Sequence, residues 1–170
     1  NHISSIRGIV NGTTNFMLTK MAEGAEYGAA LAEAQSLGYA EADPTGDVEG
    51  WDAAVKVSIL AKILFGADIP VDRVERTGIT KITPAQIEAA KKHGRAVKLL
   101  AGLAYDKFGL RACVAPVEVE ASHPLASING ATNAITVTTD NLGDVTLIGP
   151  GAGRRETGQA LLGDIIRMSR

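Results

Sequence analysis

The apolar positions of this chain change their spacing part-way along it. Ser4 to Val10 alternates in part and reads as a short strand. In the Asn11–Asn15 segment, Gly12 suits a tight turn and Thr13 or Thr14 can cap a helix running from Asn15 to Ala22. A second helix, rich in Ala, Leu and Glu, is expected from about Glu26 to Leu37, with Gly38 where a C-terminal cap glycine belongs. Tyr39 to Gly50 reads as an acidic loop kept irregular by Pro44 and Gly46. A long helix follows over about Trp51–Phe65, stopped by Gly66. Its Val55, Ile59, Leu60, Ile63 and Leu64 are expected to form a buried stripe. After Ile69-Pro70 a linker leads to Thr83-Pro84-Ala85-Gln86, a helix start with proline at its first position, ending near Lys92–Gly94.

Beyond Gly94 the pattern is strand-like. Ala96–Tyr105 and Leu110–Val119 are joined by the hairpin connection Asp106–Gly109. Ala134–Thr139 is a β-branched run, and Asn141–Asp144 turns the chain into Val145–Ile148. A glycine turn then opens an amphipathic helix that runs to the C-terminus. Helices first and strands later, with hairpin-length turns, predict an α+β fold with a largely antiparallel sheet. No G-x-G-x-x-G follows a strand, so the chain holds no complete dinucleotide-binding domain.

Composition narrows the possibilities. The 170 residues are 45% apolar and 21% charged, ordinary for a globular domain with a sizeable core. A net charge of -2 gives no electrostatic case for nucleic acid or an anionic membrane. No apolar run approaches the roughly 20 residues of a membrane helix. The single cysteine, Cys113, precludes an internal disulfide and reads as a small apolar residue in a strand. The chain begins Asn-His-Ile, which suggests a piece of a longer polypeptide, with a cytoplasmic home as the default.

Candidate chemistry concentrates in GYAEADPTGDVEGWDAAVK, Gly38 to Lys56, where five acids precede one lysine. Three readings stay open: a metal cage, a solvated loop, or a polar pocket for a small charged substrate. The spacing does not fit a twelve-residue calcium loop, because Pro44 interrupts it and no Glu closes it. Asp52 and Lys56, four apart on one helix face, are either a surface ion pair or a catalytic lysine oriented by its carboxylate; their apolar neighbours favour the second. In a pocket, Glu41 and Asp52 would hold an ammonium or hydroxyl group and Lys56 would serve at the reacting oxygen. Asn11-Gly12-Thr13, before a helix, is either a plain cap or an anion site. Gly149–Gly153 is a glycine turn or a phosphate approach, and Arg154 and Arg155 suit both. His2, His93 and His123 have no ligand spacing.

The runs AQSLGYAEADPTGDVEGWDAAVK, from Ala34 to Lys56, and GIVNGTTNFML, with GPGAG later, resemble the homoserine dehydrogenases over nearly the whole chain. The resemblance implies a substrate-binding and dimerisation domain over residues 1–150, with helices on one face of the sheet. It implies that residues 151–170 form a helix completing a nucleotide-binding domain outside this chain. It further implies NADP- or NAD-dependent interconversion of L-homoserine and L-aspartate 4-semialdehyde, on the route to threonine, methionine and isoleucine. On that resemblance Lys56 is the acid–base lysine, and Glu41 and Asp52 bind substrate. Asn11, Gly12, Thr13 and Tyr39 line the pocket with Asp47 nearby, and Gly38 and Gly153 touch the cofactor. No metal site is expected in this segment; a monovalent cation belongs upstream. A homodimer through the sheet is expected, and no nucleic-acid or membrane partner. The segment alone is expected to lack turnover, acting only in substrate binding and dimerisation. A different semialdehyde dehydrogenase would want a nucleophilic cysteine, for which Cys113 is a poor candidate.

Overall fold

The computed structural model describes residues 2–169. Six strands form one sheet: β1 (Ile3–Ile9), β2 (Glu75–Arg76), β3 (Arg95–Asp106), β4 (Gly109–Glu120), β5 (Thr132–Thr139) and β6 (Gly143–Pro150). Their order is β2-β4-β3-β1-β5-β6. Every neighbouring pair is antiparallel except β2 with β4. The helices are α1 (Gly12–Ala22), α2 (Tyr27–Ser36), α3 (Thr45–Val48), α4 (Trp51–Phe65), α5 (Pro84–Lys92) and α6 (Arg154–Met168). The fold is the expected α+β type.

Strand alternation sets the two faces. In β3, Leu99, Ala101 and Leu103 enter the main core with Met17, Leu18 and Met21 of α1, Val57 of α4 and Ile87 of α5. Leu100 points the other way. It joins Ile9, Val119 and Leu125 in a smaller core beneath the short 3₁₀ turn Pro124–Ser127. The helical layer therefore covers one face and leaves much of the other open. Cys113 lies in β4 on that open face, exposed rather than part of a core.

Four expectations need correction. The first helix begins at Gly12, not Asn15. Its cap is Asn11, whose extended backbone (φ -128°) lets Oδ1 accept from the Thr14 amide at 2.9 Å. The acidic loop is not wholly irregular: Asp43 accepts from the Thr45 amide, and Thr45–Val48 forms one helical turn. The linker before Thr83 contains a 3₁₀ turn, Val71–Arg73, and the short strand β2. Two residues carry no readable period, so β2 left no pattern in the sequence.

The fourth correction concerns α4. Its buried side is Ala53, Ala54, Val57 and Ala61. Val55, Ile59 and Ile63 are 44%, 51% and 70% exposed, and Leu60 and Leu64 only half-buried. Small alanines let the helix lie close to the sheet, so the larger residues point outward. Gly66 does close the helix in the left-handed region (φ 66°), and the Thr83–Gln86 capping box opens α5 as read.

Candidate active site

The helix starts and the acidic turn converge at one end of the sheet. β1 ends and α1 begins at Asn11, so this residue sits where strand, helix and acidic segment meet. Its side chain is buried and fully committed. Oδ1 accepts from the Thr14 amide and hydroxyl at 2.9 and 2.8 Å. Nδ2 donates to Asp47 Oδ1 at 2.6 Å and to Asp52 Oδ2 at 2.9 Å. These bonds fix the orientation of the amide, and one side chain aligns two carboxylates from α3 and α4.

Lys56 lies one turn beyond Asp52 on α4. Its Nζ donates to Asp52 Oδ2 at 2.7 Å and to the Val10 carbonyl at 2.8 Å. The two side chains are 41% and 38% exposed, so the pair is anchored yet open to a ligand. Gly50 makes this placement possible: at φ 81° it turns the chain sharply between α3 and α4.

Thr13 donates its hydroxyl to the Tyr39 carbonyl at 2.6 Å, tying α1 to the segment after α2. The Tyr39 ring rests on Phe16, with centroids 5.1 Å apart. Gln35 holds the Glu41 carbonyl at 3.0 Å while Glu41 itself stays exposed. Gly38 takes φ 76°, and nothing lies within 4 Å of where a Cβ would stand. The Thr45 hydroxyl and amide hold the Asp43 carboxyl below its ordinary range.

These residues surround a cavity of about 610 Å³. Asn11, Gly12, Thr13, Gly38, Tyr39, Glu41, Asp47, Asp52, Lys56 and Gly153 all line it. Its far wall is made by Gly151 and Ala152 of the glycine turn, together with Ala131 and Asn133, which sequence reasoning missed. Gly151 lies so close to Asn133 that a Cβ there would sit 1.8 Å from Nδ2. Asn133 Oδ1 is buried without a hydrogen-bond partner among the described residues. An asparagine at the head of a β-branched run, in a residue class depleted from strands, was the signal available. Arg154 and Arg155 do not line the cavity, nor does any of the three histidines.

Among the described residues, no three His, Cys, Asp or Glu side chains group as a metal would require. No helix among them is long and apolar enough to cross a membrane. What remains is an acidic pocket with one oriented ammonium, backbone N–H groups at a helix start, and a glycine-lined wall. Such a pocket suits proton transfer to the oxygen of a small ammonium-bearing molecule.

Comparison with known proteins identifies the family. A family model described as homoserine dehydrogenase matches residues 1–166. The chain is 42% identical to a homoserine dehydrogenase of Lactococcus lactis, covering 98% of this chain and 39% of that protein. It is 47% identical to an NAD(+)-dependent homoserine dehydrogenase of Pseudomonas canavaninivorans, covering 98% of this chain and 47% of that one. The crystal structure of Staphylococcus aureus homoserine dehydrogenase superposes with a TM-score of 0.94 at 41% identity, over 99% of this chain and 43% of that chain. A hyperthermophilic archaeal homoserine dehydrogenase mutant in complex with NADPH superposes with a TM-score of 0.81 at 36% identity, over 98% of this chain and 47% of that chain. The chain thus spans less than half the length of these relatives. By sequence, fold and length of match, it belongs to the homoserine dehydrogenase family.

Proposed function

We propose that this chain is the substrate-binding part of an enzyme that interconverts L-homoserine and L-aspartate 4-semialdehyde with NAD or NADP. The observation that carries the reading is the chain of bonds from Lys56 through Asp52 to Asn11 and Asp47, set in the wall of one cavity.

Each part has a chemical task. Reducing an aldehyde builds negative charge on its oxygen, and the Lys56 ammonium neutralises that charge and gives up a proton to it. In the reverse direction neutral Lys56 takes the proton from the hydroxyl. Asp52 and the Val10 carbonyl hold Nζ in one place, so little reorganisation accompanies the transfer. Glu41 and Asp52 receive the substrate's ammonium and hydroxyl ends, while Asp47 holds Asn11 in position. The substrate carboxylate meets the backbone N–H groups of Gly12 and Thr13 at the start of α1. When bound, a nicotinamide nucleotide supplies or takes up the hydride. The residues present suit such a group: Gly38 offers open backbone with nothing within 4 Å of where a Cβ would stand, and Gly151 and Gly153 stand in the wall of the same cavity. Gly38 and Gly153 are its contacts in this chain. The NAD(+)-dependent relative and the NADPH-bound structure support either nucleotide.

The remainder of the enzyme lies outside this chain. Helix α6 has no buried residue, and its Leu161, Leu162 and Ile165 are each more than half exposed. That is consistent with residues 151–170 completing a nucleotide-binding domain. The open sheet face, with Val117 and Ile148 exposed on it, is the proposed homodimer surface. The pathway is the synthesis of threonine, methionine and isoleucine, in the cytoplasm. The 170 residues alone bind substrate without turnover.

The test is Lys56→Ala in an enzyme that joins this chain to a nucleotide-binding domain. The expected result is a fall in kcat of about 100-fold or more, within the usual range for acid–base catalysis, with an unchanged circular dichroism spectrum. A kcat near wild type overturns the assignment.

A further inference from the structure

Lys98 is the one charged residue fully buried among the described residues, at 2% exposed. It lies in β3 on the face away from the main core, where the turn before β5 folds beneath α1. Its ammonium has no carboxylate partner among the described residues. Nζ instead donates to Asn15 Oδ1 at 3.3 Å, to Asn129 Oδ1 at 3.1 Å and to the Ile128 carbonyl. Three neutral oxygens satisfy three N–H bonds and leave the positive charge uncompensated. Burial alone lowers its pKa, to about 8.

The surroundings make that charge relevant to the cavity. Asn15 is in the first turn of α1, three residues beyond Gly12, or about 4.5 Å along the axis. It also donates to the carbonyls of Ile128, Gly130 and Thr132 at 3.1, 2.9 and 3.2 Å. The same turn brings Ala131 against Gly12, where a Cβ would stand 2.7 Å from the Ala131 carbonyl. Lys98 therefore sits directly behind the helix start that lines the cavity.

The cavity needs such a charge. Glu41, Asp43, Asp47 and Asp52 line it against Lys56 alone. That balance welcomes an ammonium and opposes a carboxylate, yet an amino-acid substrate carries both. An ammonium held only by neutral oxygens keeps its desolvation penalty, so packing alone does not call for a charge at this position. A buried positive charge behind a helix N-terminus adds to the helix's own positive end, in a medium that screens it weakly.

We infer that Lys98 determines specificity at this site: its buried, unpaired ammonium lets an otherwise acidic cavity accept the α-carboxylate of its substrate. It acts through α1 and touches neither substrate nor cofactor, and the inference rests on the substrate reading above.

Calorimetric titration of the chain with L-homoserine and with 3-amino-1-propanol, which lacks the carboxylate, tests it. Lys98→Met and Lys98→Gln remove the charge, so that one failing to fold leaves the other, and Lys98→Arg keeps it. The expected result is that wild type prefers L-homoserine and that the neutral variants bind it about tenfold more weakly. Their affinity for 3-amino-1-propanol stays within twofold, and Lys98→Arg restores the preference. Equal loss for both ligands, or no loss, overturns the inference while the substrate reading stands. Failure of wild type to bind L-homoserine overturns both.

Discussion

At the scale of single residues, Asn11 does more than its place in the sequence suggested. It reads there as part of a plain cap or an anion site, whereas in the fold it both caps α1 and aligns Asp47 with Asp52. Asn11→Ala removes the cap, with a loss of about 1 kcal/mol in stability that a urea transition reads directly. The same change frees both carboxylates, so L-homoserine affinity falls as well. A variant as stable and as tight-binding as wild type contradicts that double role. The Asp52–Lys56 pair was legible because a four-residue spacing on a helix fixes proximity. Asn133 was not, because its neighbours come from β6 and the glycine turn, far along the chain. Lys98 escaped notice for the same reason: its oxygen cage is assembled from α1 and the turn before β5. Its pKa near 8 predicts a pH effect on stability. Between about pH 8 and the ordinary lysine value of 10.5, the folded chain binds fewer protons than the unfolded one. Stability contributed by this group therefore rises with pH across that window, and the burial penalty is complete below it. Lys98→Met flattens that rise, and parallel pH profiles of unfolding free energy for the two proteins contradict the assignment.

At the scale of elements, the sequence yielded the long helix, both hairpins, the Thr83 start of α5 and the Gly66 stop of α4, since each carries a period or a turn signature. It misled on α4, because a stripe of large apolar residues normally faces a core. Here alanines face the sheet instead, and the stripe runs along the outside. Close packing of small residues also governs the turn around α3. A Cβ on Gly78 would stand 2.2 Å from the Val48 carbonyl, against backbone that cannot swing aside. Gly78→Ala is expected to destabilise the chain by about 1–3 kcal/mol and to shift α3, weakening substrate binding with it. A urea midpoint equal to wild type contradicts this. Helix α6 makes the opposite case. It buries nothing against the body, so deleting residues 154–170 is expected to leave the thermal midpoint within about 2 °C, followed by circular dichroism. A large fall contradicts its independence.

At the scale of the whole molecule, the sheet is a platform with helices on one face and the acidic cavity at the end where β1 passes into α1. The charged groups of the cavity come from α3, α4 and the segment after α2, and α1 adds Gly12 and Thr13, so its shape depends on their packing as one layer. The glycine-lined wall and the exposed α6 stand beside it, where the proposed nucleotide-binding domain would meet this chain. The central claim is that these 170 residues hold the substrate half of that enzyme's active site. Calorimetric titration of the chain with L-homoserine, for wild type and Asp52→Asn, tests it most directly. Saturable one-to-one binding, weakened about tenfold or more by Asp52→Asn through loss of a charge-assisted bond, is the predicted result. Binding that is absent in wild type, or equal in the two proteins, contradicts it.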